Sequence, residues 1–262
     1  MNIKIYHVDA FTDKAFSGNP AAVCILEKGK IDKWMQELAS EINLPETAFV
    51  LKEGDHYNLR WFTPKVEVDL CGHATLASAH ILWEVGVVEE HAILFSTNSG
   101  DLRIHKKGSW IEMDFPSEPE METDPPKYLL ESLGVEPLYI GKNRFDYLIE
   151  VKGESILENI DPDFNILSKV DTRGVIVTCR SDSKKYDFCS RFFAPSVGIN
   201  EDPVTGSAHC CLALYWNKKM GKDEFSARQA SSRGGEIRIN LRNDRVILAG
   251  QAITVFEAVL KL

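Results

Sequence analysis

Two segments of this chain are apolar around the whole circumference of a helix. In the runs 73–85 and 207–216, apolar residues leave almost no polar face. A helix of this kind has to be surrounded by other elements, and in a strand-rich chain a curled sheet can surround it. The pattern therefore predicts two β-barrels or half-barrels, each wrapped around one central helix.

A third helical segment has the opposite character. Residues 32–42 place Trp34, Leu38 and Ile42 on one face, and Asp32 is the candidate N-cap. This amphipathic pattern predicts a helix on an outer surface, with one side against the sheet.

Much of the remaining chain consists of short runs that alternate between apolar and polar residues or are rich in β-branched residues. Both patterns are typical of strands, and they predict an antiparallel sheet in each half of an α+β protein. The predicted strands are 3–8, 21–26, 48–51, 57–62, 92–96, 101–105 and 110–114 in the first half, and 139–140, 146–151, 174–179, 187–193, 236–241, 245–249 and 252–260 in the second.

One short motif occurs twice. Residues 60–64, RWFTP, return as residues 191–195, RFFAP, and each copy precedes a polar stretch, a glycine and one apolar helix. We therefore expect two similar domains related by a pseudo-two-fold axis, divided by the proline-rich acidic stretch 116–126. The predicted domains are residues 1–117 and 118–262, with a strand near 250–262 that returns to the first domain.

The two glycines of this repeat, Gly72 and Gly206, each come directly before a predicted apolar helix and would lie at its N-terminus. A helix N-terminus presents unpaired backbone N–H groups and a partial positive charge, which suit a bound carboxylate. The repeat thus predicts two half-sites that face each other and bind a small carboxylate-bearing molecule between the domains.

The composition excludes several classes of partner. A net charge of −9, with no cluster of basic residues beyond Lys218-Lys219, argues against binding to nucleic acid or to an anionic membrane surface. The chain has no apolar run as long as a membrane span, and its first residues have a strand pattern rather than that of a secretory signal. Neither nucleotide-binding glycine motifs nor CxxC or HExxH spacings occur. We expect a cytoplasmic protein without a cofactor or a metal.

Four stretches carry a resemblance to a known family. They are DAFTDKAFSGNPAAVCIL (9–26), NLPETAFV (43–50), RWFTPKVEVDLCGHATLASAH (60–80) and GINEDPVTGSAHCCLALY (198–215). On these motifs the chain resembles the PhzF-like phenazine-biosynthesis isomerase family over essentially its whole length. The resemblance implies the fold of diaminopimelate epimerase, an active site in the cleft between two barrel domains, and a homodimer.

The resemblance also implies the activity and the site. The activity is a cofactor-independent proton or hydrogen shift, of the kind that converts a dihydro-hydroxyanthranilate into its ketone tautomer. Glu46 matches the family's base, and His73 and Asp202 lie on the loops before the central helices. From the residues alone, a solvated carboxylate, a structural histidine and an Asp-Pro turn remain the alternatives. The predicted substrate-binding residues are Gly72, Ala74, Thr205, Gly206 and Ser207.

Cys71 leaves a second mechanism open. It resembles the first of two opposed cysteines in epimerases and proline racemases of the same fold. The loop that would carry the second has Asp202 and Pro203 instead, and Cys210 and Cys211 fall inside the predicted helix. The alternatives are therefore an amino-acid racemase or epimerase that uses Cys71, and a non-catalytic ligand-binding or interaction module.

Overall fold

The computed structural model describes residues 3–261, which form two compact units. Unit 1 comprises Met1–Asp114 and Ala249–Leu262, and unit 2 comprises Phe115–Leu248. The strands are β1 (Ile3–Ala10), β2 (Asn19–Leu26), β3 (Glu46–Glu53), β4 (His56–Phe62), β5 (Glu67–Val68), β6 (Ala92–Thr97), β7 (Gly100–Lys107), β8 (Trp110–Pro116), β9 (Met121–Glu122), β10 (Tyr139–Lys142), β11 (Asp146–Glu150), β12 (Gly174–Arg180), β13 (Phe188–Ala194), β14 (Ile199–Glu201), β15 (Glu224–Gln229), β16 (Gly235–Arg242), β17 (Arg245–Gly250) and β18 (Ala252–Leu260). The helices are α1 (Asp32–Ile42), α2 (Gly72–Glu84), α3 (Leu129–Leu133), α4 (Glu154–Glu158), α5 (Phe164–Leu167) and α6 (Gly206–Met220), with a 3₁₀ turn at Pro195–Val197. No helix in residues 3–261 combines the length and the apolarity that a membrane crossing requires.

Unit 1 contains two crossover connections. β1 pairs antiparallel with both β18 and β2, and β3 pairs antiparallel with β4. β2 and β3 are parallel, with α1 between them in the chain, and β4 and β6 are parallel, with α2 between them. β6, β7 and β8 then follow as antiparallel neighbours. The last strand of the chain therefore belongs to the same unit as the first.

The second crossover helix, α2, is buried along most of its length. It contacts β1, β2, β3 and β18, and Leu76, Ile81 and Leu82 have no exposed surface. Full burial of each such side chain contributes about 1.5–3 kcal/mol. The hydroxyls of Thr75 and Ser78 donate to backbone carbonyls one turn earlier, so these polar groups are satisfied within the helix.

Unit 2 repeats this connectivity. β10 pairs antiparallel with β9 and β11, β12 with β13, and β15 with β16. β11 and β12 are parallel and are connected through α4 and α5, and β13 and β15 are parallel and are connected through α6. α6 is buried along most of its length, including Tyr215 and Trp216. It therefore has the place in unit 2 that α2 has in unit 1.

The repeated motif has the same structural role in both units. Arg60 on β4 forms a bidentate ion pair with Glu67 on β5, with both N–O distances at 2.7 Å. Arg191 on β13 forms the same pair with Glu201 on β14, at 2.7 and 3.0 Å. Two parallel N–H···O bonds fix direction as well as distance. Each pair thus ties the motif strand to the short strand that leads into the central helix.

The prediction of purely antiparallel sheets is wrong, because the pairing is mixed. Parallel pairs among the described residues include β2–β3, β4–β6, β11–β12 and β13–β15. Each joins two strands that flank a helix in the chain, and a chain that returns through a helix to the neighbouring position runs in the same direction again. Alternation along a strand reports its buried face and not the direction of its neighbour, so the pattern could not reveal these pairs.

Gly174, the first residue of β12, has no room for a side chain. A Cβ there would lie 2.2 Å from the ring of Phe192. We expect Gly174→Ala to lower the free energy of unfolding by about 1–3 kcal/mol, as overpacking of a core does. Urea denaturation measures the change. Gly29→Ala is the control, because its nearest neighbour would be at 3.9 Å, and equal effects of the two substitutions would contradict the account.

Candidate active site

Glu46 is positioned by the turn that ends α1. Asn43 adopts the left-handed conformation (φ 54°) and donates its N–H to the carbonyl of Ala39 at 3.0 Å, which ends the helix. Pro45 favours an extended chain before it. Glu46 then begins β3, opposite Ala21 of β2, with 12% of its side chain exposed.

His73 is the second residue of α2 and lies against Glu46. Its Nε2 is 3.0 Å from Oε2 of Glu46, and its side chain is 8% exposed. The two atoms are not aligned as a hydrogen bond, and in the described part of the chain neither has a hydrogen-bond partner. Buried polar atoms without such partners are uncommon in folded proteins. Oε2 of Glu46 and Nε2 of His73 therefore face each other inside the protein.

The thiol of Cys71 contacts the other nitrogen of the same ring. Its Sγ lies 3.6 Å from Nδ1 of His73. Burial raises the pKa of the Cys71 thiol, and the nearby Glu46 carboxylate raises it further. Burial acts to lower the pKa of His73, but the acidic groups of Cys71 and Glu46 outweigh it and hold this pKa well above its usual value. The Glu46 carboxylate thus favours the protonated imidazole, while burial favours the protonated thiol.

These three residues are also potential metal ligands. One ligand atom from each of Glu46, Cys71 and His73 lies within 4.8 Å of the others. However, a ring nitrogen binds only an ion that it faces, and here Nε2 faces the carboxylate while Nδ1 faces the thiol. One ion could meet all three groups only after the ring turned. The arrangement suits proton transfer better than metal binding.

In unit 2, the loop before α6 is held by its own hydrogen bonds. The Thr205 hydroxyl donates to Oδ2 of Asp202 at 2.5 Å, and the Thr205 N–H donates to Oε1 of Gln229 at 2.8 Å. The buried Gln229 amide donates in turn to the Asp202 carbonyl at 2.7 Å. Thr205 therefore uses its N–H and hydroxyl within the loop, and the half-buried Gly206 and Ser207 are the accessible residues of this helix start.

Both central helices begin without a side-chain cap. The N-cap residues are Cys71 for α2 and Thr205 for α6, and neither side chain makes a capping hydrogen bond. The amides of the first turn are the groups that such caps normally satisfy. Each helix start therefore keeps donors and a partial positive charge that can bind an anion.

His209 is a buried structural histidine one turn into α6. Its Nδ1 lies 2.8 Å from the carbonyl oxygen of Thr205, to which it donates. Burial lowers the pKa of His209 to about 4. Thr75 makes the equivalent contact in α2, to the Cys71 carbonyl at 2.6 Å. His209 is thus neutral at neutral pH and holds the helix start rather than a ligand.

A guanidinium group lies against the start of α6. Arg173 donates from Nε to Oδ1 of the fully buried Asp146 at 2.9 Å, and its Nη2 also donates to Oδ2 of that residue. The same Nη2 lies 3.1 Å from the hydroxyl oxygen of Ser207. Arg173, which is paired with a buried carboxylate, therefore contacts the predicted substrate-binding residue Ser207.

The predicted site residues fall into two sets. Those of unit 1 are Glu46, Gly72, His73 and Ala74, and those of unit 2 are Asp202, Thr205, Gly206 and Ser207. The structure brings Glu46 and His73 into contact in one set, and Asp202 and Thr205 in the other. Convergence of the two sets on one substrate stays a prediction.

Sequence reasoning missed Gln229 and the pair formed by Arg173 and Asp146. Gln229 lies outside the four stretches that carry the resemblance. Arg173 and Asp146 are 27 residues apart and become neighbours only because β11 and β12 are parallel. No spacing rule in the sequence signals that contact.

A family model described as phenazine biosynthesis-like protein, PhzC-PhzF, matches residues 8–258. The chain belongs to this family. The resemblance drawn from the sequence motifs is confirmed. An uncharacterized isomerase of Halalkalibacterium halodurans is 58% identical to this PhzF-family chain over 264 residues, which cover 100% of both proteins. The protein is an enzyme of the isomerase class, as predicted.

Solved structures agree with this assignment. The crystal structure of a PhzF-family protein from Enterococcus faecalis is 42% identical, with a TM-score of 0.97 over 100% of both chains. A probable proline racemase from Agrobacterium radiobacter is 13% identical, with a TM-score of 0.66 over 99% of this chain and 93% of that one. The second likeness concerns the fold alone. This PhzF-family member thus shares a racemase-like fold with a mixed sheet and few helices.

His209 gives this PhzF-family protein a specific pH dependence of stability. Its pKa is about 4 when folded and near 6.5 in the unfolded chain, so between these values the unfolded state binds more protons. The free energy of unfolding should therefore fall as the pH drops from about 6.5 to 4, by up to about 3 kcal/mol. Above pH 6.5 this contribution is fully present.

Urea denaturation across this pH range, with wild type and His209→Gln, measures the contribution. In His209→Gln the free energy of unfolding should fall less steeply between pH 6.5 and 4. The control His91→Gln, at an exposed position, should show the same fall as the wild type. If the unfolding free energy of His209→Gln depended on pH as in the wild type, His209 would not be the group responsible for the fall.

Proposed function

We propose that the protein shifts a proton between two carbons of a small carboxylate-bearing metabolite, using its own side chains and no cofactor. Glu46 removes a proton from a carbon beside an unsaturated or carboxyl-bearing centre. The double bond moves, and the same carboxyl group returns the proton at the second position. No atom is gained or lost, so the reaction is an isomerisation.

The pair formed by Glu46 and His73 carries this proposal. A general base must reach the C–H bond directly, and the Glu46 side chain is partly exposed, at 12%. His73 lies beside it, with Nε2 3.0 Å from Oε2 of Glu46. It can also donate to the oxygen on which negative charge develops once the proton has left carbon.

We propose further that the two half-sites meet across the substrate. In this arrangement the strands of each unit close as a barrel around α2 or α6, a pseudo-two-fold axis relates the units, and Asp202 faces Glu46. The repeated connectivity, the burial of both helices and the uncapped helix starts at Gly72 and Gly206 support it. The amides of Ala74 and Ser207 belong to the same first turns and would contact the substrate.

Assembly and location follow as separate proposals. The resemblance to PhzF-like isomerases supports a homodimer. The acidic composition and the lack of basic clusters support a cytoplasmic protein without nucleic-acid or membrane partners.

A thiol racemase is the less favoured alternative. Its base would be Cys71, which is buried and whose pKa burial raises, so little thiolate exists at neutral pH. Cys210 and Cys211 are buried within α6 and not at its start. A two-thiol mechanism therefore has no second partner among the cysteines of that helix.

Two variants distinguish these mechanisms. Glu46→Gln keeps the shape of the side chain but removes the base, so solvent-derived deuterium should enter the substrate about 10²–10⁴-fold more slowly. Cys71→Ala should cost little by comparison, because the thiol packs and does not react. Mass spectrometry of small cyclic and amino carboxylic acids incubated in D₂O with each protein measures the exchange.

The control is ligand binding, which Glu46→Gln should leave nearly intact. Loss of exchange in Cys71→Ala with retention in Glu46→Gln would favour the thiol racemase. Binding of an acid without exchange by the wild type would instead indicate the non-catalytic binding module.

A further inference from the structure

The internal repeat shows which residue of unit 2 corresponds to the base. Glu46 begins β3 and Gly174 begins β12, and each is the first residue of its strand to pair with the parallel neighbour. A side chain at Gly174 would collide with the ring of Phe192. Unit 2 therefore cannot carry a carboxylate at the position equivalent to Glu46.

Arg173, the residue before this glycine, contacts the central helix instead. Its Nη2 lies 3.1 Å from the hydroxyl oxygen of Ser207, the second residue of α6. In unit 1, the second residue of α2 is His73, and the group that contacts it is the Glu46 carboxylate. The two helix starts thus have groups of opposite charge at equivalent places.

The guanidinium of Arg173 is fixed by contacts on one edge and is partly exposed to solvent. The fully buried Asp146 accepts from Nε and Nη2, and the ring of Phe145 lies 4.8 Å from the guanidinium carbon. Nη1 has no acceptor within residues 3–261, and 36% of the side chain is exposed. A guanidinium fixed on one edge with donors on the other suits a planar carboxylate.

We propose that Arg173 recognises the carboxylate of the substrate, together with Ser207, and so orients the molecule in the site. This inference rests on the proposed function. A carboxylate placed beside Glu46 would be repelled by a like charge, whereas beside Arg173 it meets a donor. Unit 2 then binds the acid group, and the reacting carbon is left for Glu46.

Calorimetric titration with benzoate, and with its uncharged analogue benzamide, tests the assignment. In the full-length protein, Arg173→Gln should weaken benzoate binding roughly 10- to 100-fold and leave benzamide binding unchanged. Arg144→Gln is the matched control, because Arg144 stacks on the same Phe145 ring but is 68% exposed and paired with Glu118. It should change neither affinity.

A wild type without preference for benzoate, or an Arg173→Gln variant that keeps this preference, would overturn the inference. Because that variant leaves Asp146 buried without a cation, the double variant Arg173→Gln/Asp146→Asn is measured beside it. It should lose the preference as well, and retention there would equally overturn the inference.

Calorimetry measures benzoate binding in the absence of turnover. One result can therefore contradict the role of Arg173 without contradicting the proposed isomerisation, and the reverse is also true. Benzoate binding that depends on Arg173, in a protein that never exchanges deuterium, contradicts the isomerisation alone. Exchange that depends on Glu46, with carboxylate binding independent of Arg173, contradicts only this inference.

Discussion

Each unit has to bury a helix that carries almost no polar face, and its other features follow from that requirement. The helix connects two strands that lie side by side, so these strands are parallel in sheets that are otherwise mainly antiparallel. Bidentate pairs at Arg60 and Arg191 then fix the short strands that precede α2 and α6. Both ends of each helix reach the surface, and the N-terminus, at the half-buried Gly72 or Gly206, is the end whose backbone N–H groups have no partner within the helix. Chemistry that uses backbone donors can occur only there.

The duplicated framework supports two different sets of side chains. In unit 1 a carboxylate and an imidazole meet at the start of α2, with Glu46 and His73 3.0 Å apart. In unit 2 the ring of Phe192 excludes a side chain at Gly174, and the preceding arginine contacts the start of α6. One unit therefore places a carboxylate and an imidazole at the start of its central helix, and the other places a guanidinium there.

The features that depend on local sequence were predictable, and those that depend on strand direction were not. α1 has the predicted bounds, and the central helices begin one residue before their predicted starts, because helical periodicity is a local signal. Glu46 and His73 were found through motifs, and their contact agrees with a shared role. The parallel pairs, and with them the contact of Arg173 with Asp146, arise from the return path of the chain and leave no local pattern. Gln229 was missed for a similar reason, since it acts through a loop 24 residues away.

The central claim is that Glu46 and His73 form one coupled proton-transfer pair. Nitrogen-15 NMR of the imidazole rings tests it directly, with the His73 signals assigned through His73→Gln. The account predicts that both ring nitrogens of His73 are protonated at pH 7 in the wild type, because Glu46 and Cys71 raise this pKa. It also predicts that the substitution Glu46→Gln lowers the pKa of His73. A His73 ring that is neutral at pH 7 and titrates identically in both proteins would contradict the account.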